Sequence, residues 1–290
     1  MTIRRLAVIG VGLIGGSLAL ALRRAGACAE VVGCGRNEAA LRRGVELGVI
    51  DRWSTDPAQA VEGADLVVLG VPLGAVRAVL QAIRGHLAED AVVTDVGSAK
   101  VSVVAAAQAV FGELPPWLVP GHPIAGNERS GVEAATAELF QRRRVILTPT
   151  SVTEAAALER VGHLWRAAGA EVLCTDPEHH DQVLAATSHL PHMLAFGLVD
   201  TLARWEGVEE IFAYAAGGFR DFTRIASSDP VMWRDICLAN REALLAALHR
   251  YRADLESLTA LIEAGDAEGL QAVFENAKAT RDRYLPLFES

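Results

Sequence analysis

The apolar run Leu6-Ala7-Val8-Ile9 leads directly into Gly10-Val11-Gly12-Leu13-Ile14-Gly15, and an apolar helical pattern continues through Ser17-Leu18-Ala19-Leu20 to Gly26. A GxGxxG set between a strand and a helix has few structural solutions. The first glycine permits a tight turn, the second lets backbone approach a pyrophosphate, and the third lets helix and strand pack closely. The helix N-terminus then faces the phosphates. The stretch predicts a dinucleotide-binding unit, with Gly10, Gly12, Leu13, Ile14 and Gly15 as cofactor contacts. Leu6 to Leu22 is also uncharged and flanked by Arg4, Arg5, Arg23 and Arg24, as an export signal or short membrane span would be. Its glycines, its length below about 20 apolar residues and the lack of a cleavage site argue against both. No membrane partner is expected, and a cytoplasmic location is.

The second strand, Glu30 to Cys34, ends about 20 residues beyond the glycine motif, where an NAD site usually places an acid for the ribose hydroxyls. The sequence there reads Gly33-Cys34-Gly35-Arg36-Asn37. Gly35 leaves space, Arg36 offers a fork of donors suited to a 2′-phosphate, and Asn37 adds a neutral donor. NADP is therefore favoured over NAD. The competing reading makes Arg36 a solvated residue opening the next helix, with either cofactor accepted.

Further apolar runs follow at Ala64 to Val71, ending in Pro72, and at Ala91 to Asp95, ending in Val96-Gly97-Ser98. Strands alternating with helical patterns predict a Rossmann-type α/β domain, a doubly wound, mostly parallel sheet covered on both faces. Ligands of such sheets bind outside the carboxyl ends of the strands. Gly10 to Gly15, Gly35 to Asn37, Val71, Pro72 and Ser98 all fall there. So does His122, in Gly121-His122-Pro123-Ile124-Ala125-Gly126 after the apolar Trp117-Leu118-Val119. Pro123 biases His122 toward extended backbone, and the flanking glycines permit turns. An imidazole at a strand end is a candidate acid-base group; a buried histidine satisfied by backbone is the alternative. Ser98 is either its hydrogen-bonding neighbour or the N-cap of a helix near Lys100. A strand at Arg144 to Leu147, a helix from Val152 to Ala167 and a strand at Glu171 to Cys174 complete this domain. Asp176 as N-cap and Pro177 at the first helical position mark the boundary, giving a dinucleotide-binding domain over 1–176 and a second domain over 177–290.

The second domain shows long helical periodicities and no strand signals, so it should be all-helical. A helix from Ala185 to Trp205 carries Ser188-His189-Leu190-Pro191-His192, with Ser188 and His192 sharing a face. A metal site is not signalled there, since no acidic or cysteine partner stands at ligand spacing. His179 and His180 read as solvated residues at a helix start. Gly217-Gly218-Phe219-Arg220-Asp221-Phe222-Thr223-Arg224 puts two arginines four apart beside a glycine pair, an arrangement suited to a carboxylate; ion pairing with Asp221 or Asp229 is the alternative. The closing helices, Pro230 to Ala264 and Asp266 to Tyr284, are long and apolar enough to bury a homodimer surface. A net charge of −9 without blocks of like charge offers nothing to a nucleic-acid backbone. Cys28, Cys34, Cys174 and Cys237 are dispersed and form no CxxC pair, which signals neither zinc nor a disulfide framework.

Taken in order, GVGLIGGS, DVGSAK, GHPIAGNERSG, SHLPH, GGFRDFTRIASSDP and MWRDI resemble the prephenate/arogenate dehydrogenase family of tyrosine biosynthesis. The resemblance implies NAD(P)-dependent oxidative decarboxylation of a cyclohexadienol by a nucleotide-binding domain joined to a helical dimerisation domain. It gives His122 the role of accepting the ring hydroxyl's proton and Ser98 that of orienting the hydroxyl. Arg224 would bind the substrate carboxylate. Ser188, His189, His192, Trp233 and Gly217 would line the pocket, with Glu128 in its rim. Relatives with a fused chorismate mutase or regulatory domain exceed this length, so feedback by tyrosine is expected, if present, at or near the active site. The nearest rivals are a β-hydroxyacid dehydrogenase or imine reductase, which would call for a catalytic lysine or another residue set in the second domain, and a non-catalytic NADP-binding sensor.

Overall fold

The computed structural model describes residues 2–126 and 129–287; Glu128 and Asn127 lie outside the described residues. The chain divides into two compact units, 1–241 and 242–290. In the first, β1 (Ile3–Ile9) pairs in parallel with β2 (Cys28–Cys34), and α1 (Leu13–Arg24) crosses between them. There follow α2 (Glu38–Glu46), β3 (Arg52–Ser54), α3 (Pro57–Val61), β4 (Leu66–Leu69), α4 (Val76–Ile83), β5 (Val92–Asp95), α5 (Val101–Phe111) and β6 (Leu118–Val119). The six strands form a parallel sheet in the order β3-β2-β1-β4-β5-β6. Alternate residues of β1 enter opposite cores, Leu6 and Val8 on one face, Ala7 and Ile9 on the other. Burial on both faces is what turns the strand into an unbroken apolar run. Strand order reverses between β1 and β4, and that reversal opens a crevice at their carboxyl ends.

The sequence gives no sign of β3. It is a short edge strand reading Arg-Trp-Ser, with neither an apolar run nor alternation. A second difference concerns His122. Pro120 interrupts the chain after β6, and Gly121 opens a separate strand, β7 (Gly121–Pro123). β7 pairs antiparallel with β8 (Arg144–Leu147), which runs parallel to β9 (Glu171–Cys174) beyond α6 (Ala155–Ala167). His122 therefore sits within a second, three-stranded sheet, opposite Ile146.

Helices take over at α7 (Pro177–Leu184), where Asp176 accepts a hydrogen bond from the His179 N–H at 2.8 Å. The single helix expected from Ala185 to Trp205 is instead a π-helical segment, Ala185–His189, followed by α8 (Leu190–Leu202). Pro191 has no N–H to give the Thr187 carbonyl, and the widened turn, closed by Leu190 N–H on the Ala185 carbonyl, accommodates it. Next come α9 (Val208–Ala213), α10 (Gly217–Thr223), a 3₁₀ turn at Arg224–Ser227 and α11 (Pro230–Ala239). The helix expected over Pro230 to Ala264 breaks at Asn240, whose backbone (φ −106°, ψ 37°) is not helical.

The second unit holds α12 (Arg241–Ala264) beyond its first residue and α13 (Ala267–Tyr284), joined through Gly265 at φ +63°. Among its described residues Leu244 alone is buried, while Leu255, Ile262, Val273 and Phe274 are exposed.

Candidate active site

Gly10 turns the chain at φ +102°, and a Cβ there would lie 2.3 Å from the Gly70 carbonyl oxygen. A Cβ at Gly15 would stand 2.5 Å from the Gly10 oxygen, so these positions admit nothing larger than glycine. Gly12 is the N-cap of α1, and a Cβ built there meets nothing within 4 Å. Open space thus adjoins a helix N-terminus, with buried Leu13 and half-buried Ile14 beneath it. This arrangement fits a dinucleotide pyrophosphate. Gly35 follows β2, with Leu41 as its nearest neighbour, 3.6 Å from a built Cβ. Arg36 is exposed, and Asn37 caps α2 by accepting from Ala40 N–H at 3.1 Å. The Asn37 carbonyl is committed to the cap, and its NH₂ is the group able to donate. Val71 and Pro72 follow β4 at the same edge of the sheet.

Beyond β5 a buried ion pair fixes the next wall. Lys100 has no exposed surface; its Nζ donates to Asp95 and, at 2.7 Å, to the Gly121 carbonyl. Asp95 also accepts from Gly97 N–H at 2.8 Å and Gly121 N–H at 3.1 Å. The pair therefore clamps β7, and with it His122, to the end of β5. Burial pushes the Lys100 ammonium below its ordinary value, with Asp95 opposing the shift. Ser98 lies half-buried in this turn and does not cap α5. That role falls to Asp181, which accepts from Lys100 N–H at 2.7 Å and Val101 N–H at 3.0 Å.

His122 is 8 % exposed, and its Nδ1 lies 2.9 Å from His180 Nε2. His180 is not solvated as the sequence suggests; it is 1 % exposed, with Nδ1 2.7 Å from Asp181 Oδ1. The reason is the face it occupies. Pro177, His180, Asp181 and Leu184 are the buried residues of α7, the i, i+3, i+4, i+7 stripe of a packed helix. Burial, then the neighbouring His180 and Lys100, hold His122 well below the usual imidazole value. It is therefore neutral at pH 7 and carries a lone pair.

The π segment delivers His189, which is fully buried. Asn240 donates from Nδ2 to the Asp181 carbonyl at 2.8 Å, and the same group lies 3.0 Å from His189 Nδ1. Nδ1 must then accept, which leaves Nε2 with the proton. The Ser98 carbonyl favours protonation of this ring, yet no described residue completes a well-aligned bond to Nε2. Trp233 Nε1 is a second buried N–H without an acceptor among the described residues. Trp233 stacks on His192 with ring centroids 3.6 Å apart. His192 Nδ1 donates to the Ser188 carbonyl at 2.9 Å, so its Nε2 carries the lone pair. Burial lowers the pKa of His189 from 6.5 to about 4. Stability gained by keeping this ring neutral is present above pH 6.5 and lost as pH falls through about 4.

Gly217 and Arg224 lie exposed on α10 and the 3₁₀ turn, both of which pack against α8. Arg220 pairs with Asp221 at 3.5 Å on the surface. The described residues contain no cluster of three or more metal-ligating side chains and no helix long and apolar enough to cross a membrane. Sequence reasoning misses Asp95, Lys100, His180, Asp181 and Asn240 as parts of this site. The stripe at 177, 180, 181 and 184 is the readable signal for two of them.

Residues 18–174 match the prephenate dehydrogenase nucleotide-binding domain, and residues 176–276 the prephenate dehydrogenase dimerization domain. The chain is 39% identical over 281 residues to a cyclohexadienyl dehydrogenase of Zymomonas mobilis, covering 96% of this chain and 95% of that protein. Among solved structures it is similar to a prephenate dehydrogenase from A. aeolicus in complex with hydroxyphenyl propionate and NAD+, at 38% identity and TM-score 0.91, over 98% of this chain and 99% of that one. A Synechocystis arogenate dehydrogenase is 29% identical with TM-score 0.81, over 97% and 99% of the two chains.

Proposed function

The chain belongs to the prephenate dehydrogenase family, and on that premise we propose that it oxidises and decarboxylates prephenate, arogenate or both with a nicotinamide dinucleotide. The observation that carries the reading is a buried, neutral imidazole, His122, clamped beside the carboxyl edge of a sheet that ends in a glycine cradle.

Gly10, Gly12, Leu13, Ile14 and Gly15 would hold the cofactor through its pyrophosphate, with Val71, Pro72 and Ser98 along the same edge. When bound, the nicotinamide accepts hydride from the carbon bearing the substrate hydroxyl. His122 takes the hydroxyl proton as that carbon becomes a ketone, so positive charge never accumulates there. Loss of carbon dioxide from the opposite ring carbon then pushes its bonding electrons onto the ketone oxygen as an aromatic phenolate, which takes the proton back from His122, and aromatisation makes the sequence irreversible. Ser98 orients the hydroxyl. His189 Nε2–H and Trp233 Nε1–H, buried donors without a well-aligned acceptor among the described residues, hold the substrate's carboxylate or keto oxygens, together with Arg224, Ser188, His192 and Gly217. The protein positions the reactants and excludes water.

We divide the work at 176/177: residues 1–176 hold the cofactor, and 177–290 supply the substrate wall and the dimer contact. The second unit buries only Leu244 among its described residues. A two-helix unit exposing Phe274 and Ile262 needs a further apolar partner, and a second copy of the chain in a homodimer supplies one. Sedimentation should give twice the chain mass; a monomer at micromolar concentration would count against this.

Arg36 favours NADP, since it is exposed beside Gly35 and the stretch Gly33 to Asn37 at the end of β2 holds no acidic residue. Initial rates of reduced-nicotinamide formation with prephenate and arogenate, each paired with NAD and NADP, test the function. Activity is expected in at least one pairing, and its absence from all four rejects the assignment. Arg36→Ala should raise the KM for NADP roughly tenfold, equivalent to about 1.4 kcal/mol of lost charge-assisted hydrogen bonding, while leaving NAD kinetics within twofold. An equal change with both cofactors would remove Arg36 from 2′-phosphate recognition.

A further inference from the structure

Behind His122 stand a second histidine and a carboxylate that the reaction as written does not use. His122 Nδ1, His180 Nε2, His180 Nδ1 and Asp181 Oδ1 form a continuous chain, with links of 2.9 Å between the imidazoles and 2.7 Å to the carboxylate. The protons in this chain are determined from its far end. Each oxygen of Asp181 already receives a backbone N–H, from Lys100 and from Val101, so Asp181 is the acceptor and His180 Nδ1 must donate to it. A neutral His180 then has its lone pair on Nε2, which obliges His122 to donate from Nδ1. The lone pair of His122 therefore lies on Nε2. A carboxylate two residues removed along the chain of contacts thus decides which nitrogen of His122 can act as a base.

Resting on the reading of His122 as the base, we propose that His180 and Asp181 are positioning residues that fix its tautomer and receive the proton displaced when it is protonated. The balance is simple. The substrate hydroxyl proton arrives on His122 Nε2 as the O–H bond breaks. The proton on His122 Nδ1 crosses to His180 Nε2, leaving His122 neutral and His180 an imidazolium whose Nδ1–H faces Asp181. No further reactant is consumed, and the protons return in reverse order before the next turnover. The charge thereby leaves a ring that neighbours the Lys100 ammonium and His189 and comes to rest against a carboxylate. Around the chain, Asp95 and Lys100 face it from β5 and the start of α5, His189 faces it from the π segment, and Asp181 is its only carboxylate in direct hydrogen-bond contact among the described residues.

The same carboxylate caps α5, the helix that follows Ser98. Asp181 therefore ties the base, the serine turn and α7 to one side chain, and its replacement disturbs folding as well as chemistry. His180 is the cleaner position. In wild-type enzyme with ¹⁵N-labelled histidine, NMR at neutral pH should show His122 protonated on Nδ1 and unprotonated on Nε2. His180→Gln should lower kcat about 10²-fold or more, with KM for both substrates within threefold and the acid limb of the kcat profile displaced. Imidazole added to His180→Ala should restore part of the rate. A wild-type His122 protonated on Nε2, or a His180→Gln enzyme within twofold of the wild-type kcat and with an unchanged pH profile, would overturn the proposal. The NMR reading needs no variant, so it decides even if His180→Gln fails to fold. Failure of the underlying function looks different: wild-type enzyme inactive in all four substrate and cofactor pairings, or full activity without His122.

Discussion

Replacing His122 with asparagine should lower kcat by about 10²- to 10⁴-fold, the usual contribution of a positioned general base, while KM for cofactor and substrate changes little. The expectation rests on where the ring sits. It lies on β7, its strand is clamped through Gly121 to the Asp95–Lys100 pair, and its Nδ1 is engaged by His180. Asparagine can keep a polar atom near the Nδ1 position but offers no basic nitrogen at Nε2. Steady-state rates across pH make the check. Wild-type kcat/KM should fall only well below pH 6.5, because burial depresses the His122 pKa, and that acid limb should vanish from the residual rate of His122→Asn. A variant retaining more than about a tenth of wild-type kcat would remove His122 from the role of base.

The second large effect is on stability. Lys100→Met should cost about 3 to 5 kcal/mol, because it leaves the Asp95 carboxylate buried and unpaired; the melting temperature should drop on the order of 10 °C. The pair itself need not be strongly stabilising, since desolvation offsets much of the attraction between buried charges. Its position gives it its importance: Lys100 Nζ reaches the Gly121 carbonyl, and Asp95 accepts from the Gly121 N–H. The residue before His122 is thus held by both members. Adding Asp95→Asn to Lys100→Met removes the uncompensated charge and should recover part of the lost stability without recovering activity. Urea unfolding of the single and double variants measures this, and a single variant as stable as wild type would show that the pair does not hold β7.

Much of this molecule is legible in its sequence. The glycine motif, the apolar runs of β1, β4 and β5, and the Asp176-Pro177 helix start can all be read there, because each depends on local chemistry that a short window contains. What is not legible depends on neighbours distant in sequence. β3 is a three-residue edge strand whose only warrant is its pairing with β2. The break at Asn240 is unreadable from helix periodicity, yet the fold uses that side chain to hold both His189 and the Asp181 carbonyl. Polarity misleads at His180 and Asp181. A histidine beside an aspartate suggests solvent, but their spacing with Pro177 and Leu184 marks the packed face of α7. Polar residues on such a stripe are informative because burying them is costly unless they are partnered.

The π-helical turn at Ala185–His189 has a consequence for how this chain tolerates change in length. A π turn is in effect an α-helix with one residue too many, whereas in regular helix, at 3.6 residues per turn, each added or lost residue rotates everything downstream by about 100°. Deleting a single residue between Ala185 and His189 would restore an ordinary helix. The widened turn absorbs the extra residue, so such a deletion would leave His192 on the face of Trp233, on which it now stacks, and would displace only the residues of the turn itself. A residue gained or lost in the α-helical turns on either side has no such slack: it is a change of phase that would carry His192 away from Trp233.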